Sequence, residues 1–122
     1  MKPFNSHDRH VIKPKEAILK SYNSDETGEQ GTSFHNLNPD LRQEIGCFIQ
    51  RMTPDFHSAS HRHIGAEEFY VIEGDIRDHD GKLYKECDVV WLARGTVHNA
   101  YSETGCTVAM FSKSPEEQLD KI

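Results

Sequence analysis

Ser60–Gly74, "SHRHIGAEEFYVIEG", places two histidines one residue apart, then two glutamates, then a run of strand formers closed by glycine. On an extended strand, His61 and His63 point to the same face with Cα atoms roughly 6.5 Å apart. Two imidazoles at that separation can tilt onto one ion, with metal–nitrogen bonds of about 2.1 Å. Arg62 then faces the other way. Glu67 has the same parity, but a straight strand would carry it about 13 Å beyond His63. The chain must therefore turn between them, and Gly65 supplies the bend. The expectation is that His61 and His63 end one strand, and that Glu67 opens its antiparallel neighbour, which runs to Gly74. Glu68 should face away.

A fourth ligand has to come from a distant strand. His98 is placed for it, following "DVVWLARGTV", where Gly95 allows a tight reversal. Three neutral imidazoles and one carboxylate suit one divalent transition metal: Fe(II), Zn(II), Mn(II), Ni(II) or Co(II). An octahedral ion with four protein ligands keeps two positions open. Phe69 and Val71 share the parity of Glu67 and, with Trp91, are candidates for the lining of an apolar substrate pocket. His7, His10, His35, His57 and His79 lack such context and read as surface residues, with His57, just before the HxH segment, the exception to watch.

Outward from this stretch the chain reads as short strands between turn signals. "IGCFIQRM", "EEFYVIEG", "CDVVWLA" and "TVAMFSK" are strand candidates, and "HDG" marks a hairpin between "DIRD" and "KLYKE". No helical pattern alternates with them, which indicates an all-β barrel or sandwich of antiparallel strands. "HVIK" and "EAILKSY" could be edge strands, split by Pro14, and residues 22–32 form a polar, acidic loop. "SPEEQLDKI" could form a short terminal helix with Ser114 as N-cap and Pro115 at its first position.

The 122 residues suffice for one domain, with a barrel core at about 42–113, an N-terminal part at 1–41 and a tail at 114–122. A net charge of −6 and the lack of any Lys/Arg cluster argue against nucleic acid as partner. No segment is apolar and long enough to span a membrane. Cys47, Cys87 and Cys106 form no CxxC pair, and an odd count without a signal peptide indicates reduced thiols in a cytoplasm.

At His61, His63, Glu67, Gly74, Gly95 and His98 the sequence resembles the cupins. Their first motif is glycine, five residues, HxH, three or four residues, Glu, six residues, Gly. Here Asp55 stands at the first glycine. Their second motif is Gly-x5-Pro-x-Gly-x2-His-x3-Asn. Here Cys87, Ala93 and Ser102 replace its first glycine, proline and asparagine, and the ligand positions are intact. "HRHIGAEE", the hairpin "DHDGKLY" and "GC" after the last ligand resemble the ChrR-like group of cupins. That group includes the metal-binding domain of anti-sigma factors and non-haem dioxygenases that cleave β-diketones or hydroxyacetophenones.

The resemblance implies a jelly-roll barrel, a metal held by His61, His63, Glu67 and His98, a small-molecule substrate and a homodimer. Glu67 would stay bound or leave to act as catalytic base. Three readings stay open: a small dioxygenase-like metalloenzyme, a non-catalytic sensor or ligand-binding module with a closed zinc site, or a structural metal that merely closes the barrel. The zinc-binding HxxxCxxC pattern through which anti-sigma factors hold sigma is missing here.

Overall fold

The computed structural model describes residues 2–22, 30–41, 45–114 and 116–118. The early strands are β1 (Lys20–Tyr22), β2 (Thr32–Asn36), β3 (Gly46–Met52), β4 (Phe56–His57) and β5 (His61–His63). The long β6 (Glu67–Asp78) follows, then β7 (Leu83–Lys85) and β8 (Val89–Leu92). The last are β9 (Val97–His98), β10 (Ala100–Ser102), β11 (Cys106–Ser112) and β12 (Glu116–Gln118). The main sheet runs β1-β2-β3-β11-β6-β10-β4, with β7 and β8 also bonded to β6. A smaller sheet runs β12-β5-β9. The result is an all-β half-barrel, curled and antiparallel.

Alternation builds the interior. Phe48 and Met52 on β3, Phe69 and Val71 on β6, and Val108 and Met110 on β11 are buried in one apolar cluster. Each such side chain contributes roughly 1.5–3 kcal/mol by leaving water. The central strand β6 is not regular. Val71 pairs with Val108 and Glu73 with Thr107, so Ile72 is an extra residue without a partner on β11. This bulge reverses the inward parity. Glu67, Phe69 and Val71 are buried before it, Ile76 and Asp78 after it. Just beyond, Gly74 has φ +77°, and a Cβ there would lie 2.1 Å from the Gly105 carbonyl oxygen.

The expected hairpin closes as anticipated: Gly81 N–H donates to Asp78 O at 2.9 Å, and β7 pairs back onto β6. Three expectations are corrected. β5 and β6 are not neighbours. The chain bends at Ile64 and Gly65 and passes from the smaller sheet to the main one. A Cβ at Gly65 would lie 3.1 Å from the Ser114 hydroxyl, a close contact that Ser114 would have to shift to relieve. At the C-terminus, Glu116–Gln118 is strand rather than helix, pairing Glu116 with His63 and Gln118 with His61. A helix of two turns is marginal by itself, and the open edge of β5 offers backbone partners instead. Near the N-terminus "HVIK" is not a strand, whereas β1, from the end of "EAILKSY", pairs with β2. Residues 23–29 of the polar loop and 119–122 of the tail lie outside the described residues. Among the described residues no helix is long and apolar enough to cross a membrane.

Candidate metal centre

His61 and His63 point inward from β5 and are 6% and 2% exposed, while Arg62 faces solvent. β9 pairs antiparallel with β5 so that His98 lies directly opposite His61. The reversal at Gly95, φ +81°, makes this possible and is tied to the site. Gly95 N–H donates to His63 O at 2.7 Å, and His63 N–H to Thr96 O at 2.9 Å. Nitrogens of His61, His63 and His98 all lie within 4.8 Å of one another, an arrangement that could hold a metal ion.

The outer ring nitrogens assign the tautomers. His61 Nδ1 is 2.9 Å from the Ala59 carbonyl oxygen, which can only accept, so His61 Nδ1 carries hydrogen. Thr96 Oγ1 donates to Ala93 O at 2.6 Å and therefore accepts from His63 Nδ1 at 3.1 Å. His98 Nδ1 faces both oxygens of the buried Asp78 carboxylate, at 3.0 and 3.1 Å. All three rings, when neutral, thus turn Nε2 towards a common space. His61 Nε2 and His98 Nε2 are 2.9 Å apart. His63 Nε2 is buried and makes no hydrogen bond.

Protonation is a poor way to relieve this. Burial, then the charges of His98 and His61, push His63 down to about 4. Burial and His61 also push His98 down, against the pull of Asp78. Asp78 itself is penalised by burial, but hydrogen bonds from Tyr84 and His79 and the nearness of His98 outweigh that and hold it at about 2. The donor set, three neutral imidazoles with a carboxylate nearby, fits a divalent transition metal.

Glu67 opens β6 and is buried, with Oε1 3.5 Å from His63 Nε2. It lies outside the mutually close histidine set. The site forms the polar end of a cavity of about 60 Å³, to which His61, Glu67 and His98 contribute, with Phe48, Phe69 and Met110 on the apolar wall.

The family of the ChrR cupin-like domain matches residues 15–115. The chain belongs to that family. Solved structures agree on the cupin fold. An acetylacetone dioxygenase from Acinetobacter johnsonii superposes with a TM-score of 0.70 at 17% identity, covering 99% of this chain and 86% of that one. The polyketide cyclase RemF from Streptomyces resistomycificus gives 0.70 at 17%, covering 93% and 87%. The anti-sigma factor ChrR, in complex with Rhodobacter sphaeroides SigE, gives 0.56 at 19%, covering 67% of this chain and 44% of that one. No curated protein matches the chain.

Of the residues expected at this cupin's site, His61, His63 and His98 come together, Glu67 lies beside His63, and Phe69 lines the cavity. Glu68 faces outward, as its parity requires. Val71 is fully buried in the core cluster instead of the cavity wall. Trp91 is 64% exposed, because β8 pairs it with Glu68 and turns Val90 and Leu92 inward. His57 stacks on Tyr101 at 4.4 Å and is not part of the triad. Sequence reasoning missed Asp78 and Tyr84, which also line the cavity. From Glu67 alone, simple alternation turns Asp78 outward; the bulge at Ile72 turns it in.

Proposed function

We propose that this cupin binds one divalent transition metal through Nε2 of His61, His63 and His98, with Glu67 completing the site, and acts on a small oxygen-bearing molecule in a dioxygenase-like reaction. The observation that carries the reading is the convergence of three Nε2 lone pairs whose outer nitrogens are already committed to acceptors. When bound, such an ion supplies Lewis acidity and, if iron, a place for dioxygen beside a chelated substrate.

The chain's own residues supply the rest. Phe48, Phe69 and Met110 exclude water and hold the apolar end of a substrate against the histidines. Glu67 sits at the polar end, where it either stays as a ligand or takes a proton from a substrate carbon or hydroxyl.

A second reading, a non-catalytic sensor with a closed site, is favoured by one observation. The cavity of about 60 Å³ holds a few waters, whereas ligand pockets commonly run from ~300 to ~1,000 Å³. Reconstitution separates the readings. The apoprotein should take up one Fe(II) per chain and consume dioxygen with acetylacetone or a phenolic ketone. Stoichiometric zinc without dioxygen uptake supports the sensor. Absence of any metal after reconstitution sinks both.

A further inference from the structure

Asp78 ends β6, is 6% exposed and is held from several directions. The Tyr84 hydroxyl donates to Oδ2 at 2.8 Å, and the His79 backbone N–H donates to Oδ1 at 2.9 Å. The His79 ring nitrogen Nδ1 is also 2.9 Å from Oδ1. The carboxylate aims both oxygens at His98 Nδ1. We infer that Asp78 is a positioning residue for the metal site: it fixes the tautomer and rotation of His98 and strengthens Nε2 as a donor. The inference rests on the metal-binding reading above.

A buried carboxylate is costly unless its oxygens are satisfied, and here the β6–β7 hairpin supplies the donors. The same seven residues, "DHDGKLY", therefore supply the acid, its clamp Tyr84 and the turn at Gly81, φ +91°, that brings them together. A carboxylate behind a ligating imidazole holds the ring in place and raises its basicity. The amide of asparagine could still accept from Nδ1–H, but without the charge. The charge is thus separable from the hydrogen bond.

Asp78, His79 and His98 also lie close enough to hold an ion of their own. Two facts argue against that. His79 is exposed, with 54% of its side chain open to solvent. A neutral His98 cannot give Nδ1 to one ion while its Nε2 serves another.

The test titrates full-length apoprotein with Co(II) alone, followed by calorimetry and the visible ligand-field bands. Wild type should bind one ion. His61→Ala should abolish binding. Asp78→Asn should stay folded, bind Co(II) roughly 10- to 100-fold more weakly and shift the bands. His79→Ala should bind as wild type. In Asp78→Ala, ring nitrogen shifts of apo His98 should move from the pure Nδ1–H form towards a tautomer mixture. Unchanged affinity in Asp78→Asn, with binding still lost in His61→Ala, overturns the role of Asp78 and leaves the metal site standing. Loss in His79→Ala equal to that in Asp78→Asn assigns the ion to the outer cluster and overturns the inference. Normal binding in His61→Ala overturns the metal site and the inference together.

Discussion

Asp55 and Cys87 stand where the two cupin motifs have their leading glycines, and they are the two non-glycine residues with positive φ among the described residues, +64° and +74°. The turns have kept their left-handed backbone while losing the residue that adopts it freely. The replacements differ in compensation. Asp55 Oδ1 accepts from Tyr101 OH at 2.9 Å, whereas exposed Cys87 offers only a 3.5 Å contact to Tyr70 OH. Cys87→Gly should therefore stabilise the protein by about 0.5 kcal/mol, partly offset by the freer unfolded chain, raising Tm by roughly 2 °C. Asp55→Gly should be close to neutral. An unchanged or lower Tm in Cys87→Gly would refute the strain argument. The buried histidines make the stability of the apoprotein depend on pH. Burial keeps His63 neutral in the folded apoprotein down to about 4, and lowers His98 as well. The unfolded chain binds those protons near 6.5. The apoprotein should therefore hold its stability above about pH 6.5 and lose it progressively as pH falls towards about 4. Urea midpoints at pH 7.5 and 5 would check this, and equal midpoints would contradict it. The choice of Glu67 over Glu68 was legible from parity, because the two-residue period of a strand needs no tertiary information.

Parity holds only between irregularities, and elements supply those. On β6 it places Phe69 and Val71 inward and then fails at Ile72, which no local composition marks as a bulge. That single extra residue is why Asp78 escaped a reading based on alternation. Trp91 was misplaced for a different reason. Which face of β8 looks inward is set by its register, Glu68 opposite Trp91, and register between strands is a property of the pair. The bulge also explains Gly74. The bent strand brings residue 74 against the Gly105–Cys106 backbone, where a Cβ would be 2.1 Å from one atom and 2.8 Å from another. Gly74→Ala must both hold φ near +77° and push β11 away, since neither neighbour is a side chain that can swing aside. It should destabilise by more than about 2 kcal/mol. Gly81→Ala is the control, because it shares a positive φ but has nothing within 4 Å of the new Cβ. Equal losses for the two, by denaturant titration, would show that the dihedral alone matters and the close approach does not.

At the scale of the molecule, the site is shared between the two sheets. His61, His63 and His98 belong to the smaller sheet, Glu67 and Asp78 to the main one. Sequence spacing could propose that these residues meet but not that they meet across sheets, since the β5–β6 connection looks the same either way. Without an ion this junction is unfavourable. Beside the His61–His98 Nε2 pair at 2.9 Å, His63 Nε2 is buried without a hydrogen bond, a deficit of about 1–3 kcal/mol for a group of that kind. A bound ion removes the deficit in the folded state and has no preformed site in the unfolded chain. Metal binding should therefore appear as stability. At a free concentration about a thousand times the dissociation constant, linkage contributes about 4 kcal/mol, or a Tm increase on the order of 15 °C for a chain of this size. The increase should disappear with excess chelator and be absent in His98→Ala. Differential scanning calorimetry with and without Co(II) or Zn(II) measures it. A Tm that does not respond to either ion, in protein shown to be folded, would mean that the three imidazoles do not close on a metal.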